Sequence, residues 1–173
     1  MQQEEMSLAA ALGFSAEDLA ANRAGSLSGA QKARLGRQIR RTLTGFGILL
    51  LIGIIAATAF LFGGQQSGSE VLTFVGMAIT VLNAVVVGLG AQSYLRGSGD
   101  LARGTVERVS GIVTHTIRVT SGRVTTFVIK LDGGHETVVP KPVFKAFAEG
   151  GAYTLYRTSG TKTLLSADEG KKD

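Results

Sequence analysis

Cysteine is missing from all 173 residues, and with it go disulfides, thiolate nucleophiles, zinc ribbons, iron–sulfur ligation and thiol redox chemistry. Proline is nearly missing too, at 2 residues, and there are only 2 histidines, so imidazole chemistry rests on His115 and His135 alone. The third absence is local. From Thr42 to Ser69, and again from Val71 to Tyr94, no side chain carries a charge. The hydrophobic fraction, 45%, is ordinary, so the apolar residues are clustered rather than numerous.

Those clusters dictate the organisation. A spanning helix needs about 20 apolar residues, and Leu43–Phe62 and Val71–Tyr94 each meet that length. The first run starts too far into the chain, and is too long, for a signal-peptide core. The short connection Gly63–Glu70 joins antiparallel neighbours, making a helical hairpin. Basic residues flank the pair: Lys32, Arg34, Arg37, Arg40 and Arg41 precede the first run, and Arg96, Arg103 and Arg108 follow the second, whereas the connection holds only Glu70. By the positive-inside tendency both termini lie in the cytoplasm. The net charge of +5 is then a topology signal, with the basic stretch attracted to anionic lipid.

Between helices in lipid, small residues permit close approach. Gly76, Thr80, Ala84, Gly88 and Gln92 recur every four residues on the second run, and Gly53 with Ala57, or Ala56 with Gly64, can face them. Asn83 is the one strongly polar side chain deep in either run. It reads as an interhelical hydrogen-bond partner, with a transport role as the sharper alternative.

Residues 1–42 read as a cytoplasmic helical arm. Ser15 with Asp18 forms a capping box opening a short helix that Gly25 can stop, and Ser28 with Gln31 forms a second, opening a basic helix that can run into the first span. A helix-turn-helix reading fails because no three-helix core holds a recognition helix. After the spans 43–95, residues 96–102, including "RGSGD", read as a flexible linker.

From residue 103 the period changes to two. Val113, Ile117 and Val119 share one face of a strand, and Phe127, Ile129 and Leu131 share one face of the next, with Ser121-Gly122 and Asp132-Gly133-Gly134 as turns. "KPVFKAFAEGG" supplies a short helix with Pro142 in its first turn and Gly150 towards its end, and "AYTLYRTSGTKTLLS" a hairpin around Ser159-Gly160. Counting "RGTVERVS" as a further strand, residues 103–168 hold about six short strands and one helical turn, which suits a small SH3-like or OB-like barrel; residues 169–173 are a tail. The expected fold class is therefore an α+β membrane protein: helical arm, two-helix transmembrane hairpin and small β-barrel-like domain.

The ending "FKAFAEGGAYTLYRTSGTKTLLSAD" and the arm "DLAANRAGSLSGAQKARL" resemble uncharacterised bacterial two-span membrane proteins with a C-terminal β domain ending in a Y-x-L-Y…LLS pattern. The departure is Tyr156-Arg157, where that pattern would place a second aromatic. A looser resemblance is to NfeD-like proteins, whose spans precede an OB-like domain. Both imply architecture in a bacterial inner membrane and no activity.

No catalytic constellation is legible. His115 has apolar parity, and His135 lies beside a turn with Asp132 and Glu136, where solvated carboxylates explain the cluster better than a metal site. "GSGDLARG" lacks the ending of a phosphate loop. Single-strand binding is disfavoured because Phe127, Phe144, Phe147, Tyr153 and Tyr156 are needed for the core. The expectation is a non-enzymatic accessory or scaffold protein without a cofactor, whose partners are the lipid bilayer and another membrane protein or complex. Arg118, Arg123, Lys130 and Arg157 form a candidate partner-binding face, and Gly76, Thr80, Asn83, Ala84, Gly88 and Gln92 a transmembrane packing seam. The alternative is a homo-oligomeric channel or transporter component built on that seam.

Overall fold

A computed structural model describes residues 8–120 and 124–170. Its helices are α1 (Ala16–Arg23), α2 (Gly29–Ser67), α3 (Glu70–Arg103) and α4 (Lys141–Ala146), and its strands are β1 (Val106–Thr120), β2 (Val124–Leu131), β3 (Glu136–Val139), β4 (Ala152–Thr158) and β5 (Leu164–Glu169). Residues 8–12 are also helical. The fold is α+β, and it divides into two compact units: Arg34–Ala102, and the residues up to Ala33 together with those from Arg103 onward.

The helical unit holds both apolar runs. Each lies in a helix long and apolar enough to cross a membrane, and only 6% of either window is buried within the chain. A core helix within this chain would instead be mostly covered. The expected eight-residue connection contracts to Gly68 and Ser69. Gly68 ends α2 in the left-handed region at φ 66°, and the Ser69 N–H closes the turn onto the Gly64 carbonyl. Residues 96–102 are helical rather than a linker. Their glycine serves close approach: a Cβ on Gly97 would stand 3.2 Å from Ile39 side-chain carbons. α3 stops at Gly104, φ 61°.

The second unit is a five-stranded antiparallel sheet in the order β3-β2-β1-β4-β5. It is open among the described residues, so the expected barrel gives way to a sheet with β3 and β5 at its edges. The strand count falls because two expected strands are one. β1 runs through Gly111, pairing with β4 over Val106–Ile112 and with β2 over Val113–Thr120. At the change of partner the Ile112 N–H donates to Asp132 Oδ1 at 3.0 Å. A Cβ on Gly111 would lie 2.2 Å from that oxygen and 3.1 Å from Leu131 Cβ. Glycine at the pivot thus lets the carboxylate replace a ladder bond.

The meander of β1, β2 and β3 follows the alternation: Val113 opposes Leu131, and Phe127 opposes Val139. Ser121-Gly122 and Arg123 lie outside the described residues. The core gathers Val109, Val113, Ile129, Leu131, Val139, Val143, Phe144, Phe147, Tyr153, Leu155 and Ala167. Phe147 packs edge-on to Tyr153 at 4.9 Å, whose hydroxyl accepts the Ala148 N–H.

The N-terminal segment belongs to this unit. Leu8 is part of the core. The Leu27 N–H donates to the Gly104 carbonyl, and the Val106 N–H to that of Gly25, so the turn after α1 pairs with the start of β1. Both capping boxes form: Ser15 and Asp18 exchange bonds at 3.1 Å, and Ser28 and Gln31 at 3.0 and 3.2 Å. Asp18 also accepts from the Ser28 hydroxyl, tying the two caps together. Asn22 Nδ2 donates to Ser166 Oγ at 2.7 Å, both buried, and Arg23 pairs with Asp168. Nothing in the local sequence around Ser15 or Ser28 announces a partner in β5, because the contacts span more than 140 residues.

Candidate functional site: the helical seam and the charged face of the sheet

The seam between α2 and α3 has small residues on both sides. A Cβ on Gly53 would fall 2.0 Å from Asn83 Oδ1, one on Gly64 2.7 Å from the Thr73 backbone nitrogen, and one on Gly76 2.9 Å from that of Leu61. Gly90 receives the Phe46 ring, its Cβ position 3.3 Å from Cγ. As the residue numbers on one helix rise, those on the other fall in matching steps, so the contact is antiparallel and in register along the length. Between Gly76 and Gly97 the covered positions on α3 are Gly76, Ile79, Asn83, Val86, Gly90 and Gly97, steps of three and four followed by one of seven, which fit the 3.5-residue period of a left-handed coiled pair.

This corrects the expected stripe. A strict four-residue repeat drifts about 40° per step around a helix. Gly76 and Asn83 are therefore in the seam, whereas Thr80, Ala84, Gly88 and Gln92 are exposed, and a Cβ on Gly88 would meet nothing within 4 Å. On α2, Gly53 faces Asn83 and Gly64 faces Thr73 rather than the four-residue stripe, and Ala57 is buried.

On the sheet, β-register decides which basic residues are available. Arg118 and Lys130 both reach Glu136, Lys130 at 2.8 Å, and hold its carboxyl below the usual range, Lys130 contributing most. Arg157 is not a surface cation. Its side chain is 7% exposed and it pairs at 3.0 Å with Glu107, which stands directly opposite in the β1–β4 register. Its strand is buried on both faces, which period-two reasoning over one strand cannot show. Lys162, held in the left-handed region at φ 56°, adds a contact to Glu107 at 2.6 Å. His135 Nδ1 lies 3.3 Å from the Arg157 guanidinium.

Glu107 carries a pH prediction. Bonds from Arg157 first, then Lys162, lower its pKa from 4.5 to about 2. A group with a depressed folded pKa adds stability that is present above its unfolded value and is lost as pH falls through the folded one. Glu107→Gln should therefore melt below wild type at pH 7. The difference should shrink between pH 4.5 and 2, measured by thermal melts across that window; a difference independent of pH would show that the pair contributes nothing through charge.

His115 stacks on Phe144 with centroids 4.1 Å apart, its Nδ1 3.9 Å from a Glu149 oxygen. Its Nε2 is buried without a partner. Among the described residues, no three His, Asp or Glu side chains gather in a metal-ligand cluster. Phe144, Phe147, Tyr153 and Tyr156 are all buried, so these rings serve the core rather than a stacking platform. The sequence reading missed the exposed end of the β1–β2 hairpin: Ile117 and Val119 share the face of fully buried Val113, yet are 56% and 67% exposed. The signal was in plain view, since the apolar parity continues past the length the rest of the unit can cover.

No family model, curated protein or solved structure matches this chain.

Proposed function

We propose that the chain is a non-catalytic integral membrane accessory or scaffold protein whose β unit binds a protein partner. Two uncovered apolar helices support the membrane placement, and the flanking basic residues support both termini facing the cytoplasm, as in a bacterial inner membrane. The observation that carries the partner reading is the apolar hairpin end, Ile117 and Val119. Apolar side chains that continue a core face into solvent mark a contact surface.

Mild-detergent extraction from the native membrane, with mass determination of the chains that stay together, tests this. The expected result is a foreign chain in fixed stoichiometry with wild type that is lost from Ile117→Asp/Val119→Asp. A foreign chain retained by that variant would remove the hairpin from the interface. The second reading, an oligomeric channel or transporter component, is favoured by Thr80, Ala84, Gly88 and Gln92 facing outward from the hairpin of helices. It would be upheld by a homo-oligomer without foreign chains that Gly88→Leu dissociates.

A further inference from the structure

Arg34, Arg37, Gln38, Arg41 and Thr42 line a groove of about 390 Å³ on α2. Their spacing, i, i+3, i+4, i+7 and i+8, places them on one helical face. Thr42 is also the first residue of the charge-free run. The groove thus ends where apolar chain begins, which in a bilayer is the depth of the lipid headgroups. Arg37 and Arg41 have no carboxylate within ion-pair distance among the described residues, in contrast to Arg118 and Arg157, which are both paired. Guanidinium groups bind phosphate oxygens in a bidentate fork, and the Gln38 amide and Thr42 hydroxyl offer further donors of suitable reach.

We infer that this face is a binding site for the phosphate of an anionic phospholipid. It rests on the membrane reading, and it adds a chemical preference that two apolar spans alone do not have. The headgroup occupies the arginine groove while its acyl chains lie along the apolar surface that starts at Leu43. Arg40, one residue before Arg41, is outside the groove lining.

The test reconstitutes the full chain in vesicles containing equal amounts of phosphatidylglycerol and phosphatidylcholine with matched acyl chains, washes them at alkaline pH, and counts lipids retained after mild detergent extraction by native mass spectrometry. Wild type should stay in the vesicles and retain phosphatidylglycerol preferentially. Each arginine lost should lower that preference about fivefold, and Arg37→Gln/Arg41→Gln about 25-fold. Arg40→Gln should change it little, and both variants should keep the wild-type elution volume and helix content. A chain that survives the wash without lipid preference, or an Arg37→Gln/Arg41→Gln variant that keeps it, overturns the site alone. Release by the wash overturns the membrane reading with it. Displacement of the lipid by inorganic phosphate would overturn the assignment to lipid, since a soluble phosphate would then be the ligand.

Discussion

Gly76→Val should separate the two apolar helices and destabilise the hairpin by about 1–3 kcal/mol, the usual range for overpacking a closed contact. The reason is backbone. A Cβ at Gly76 alone would come within 2.9 Å of the Leu61 nitrogen and 2.6 Å of its Cγ, and the first of these cannot move without shifting α2. Gly88→Val is the matched control. It has the same chemistry and lies on the same helix, twelve positions on, but its added atoms enter open space, so its effect on the hairpin should stay within about 0.5 kcal/mol. Reversible unfolding in mixed detergent measures both. Equal losses would mean that α3 presents its four-residue stripe, not its alternating three-and-four stripe, to α2.

Asp18→Ala should be the costliest single truncation in the segment before the first span, at about 2–4 kcal/mol. Asp18 is 1% exposed and accepts both the Ser15 N–H and the Ser28 hydroxyl. Removing it leaves the buried Ser28 hydroxyl and the part-buried Ser15 N–H without that acceptor, and bonds to a charged group are worth about 1.5–3 kcal/mol each. Arg23→Ala, five residues along, should cost under about 1 kcal/mol, because its partner Asp168 is reached through a half-exposed guanidinium. Chemical denaturation of the full chain, followed by tyrosine signals, separates the two. If the Arg23 change were the larger, the N-terminal segment would be held by its surface pair and not by the buried caps.

These two predictions also show what could be read in advance. Local signals were legible: a Ser followed three residues later by Asp or Gln is a cap wherever it occurs, and both caps formed. Long charge-free runs and the alternation around Val113 and Leu131 were likewise visible, because each is a statement about one element. What the chain hid were relations between elements. Gly97 looked like part of a flexible joint, yet its missing side chain makes room for Ile39. Gly111 looked like a break between strands and is instead the pivot of one strand. Arg157 had the spacing of a surface residue but lies in a strand covered on both faces. Asn22 gave no hint of Ser166, the partner that buries it. Glycine is ambiguous in this way because it marks both looseness and contact, and only the neighbour decides which.

In the proposed topology the two apolar helices cross a bilayer, with their connection facing away from the cytoplasm and both termini facing it. The chain is free of cysteine, so single thiols can be placed without background: Gln66→Cys near the connection and Thr114→Cys on an exposed position of β1. Sealed cells producing each variant are treated with a membrane-impermeant maleimide before and after permeabilisation. The account predicts that Gln66→Cys is labelled in sealed cells and Thr114→Cys only after permeabilisation. Labelling of both variants at the same stage would contradict it, because the connection and the sheet would then share one side of the membrane.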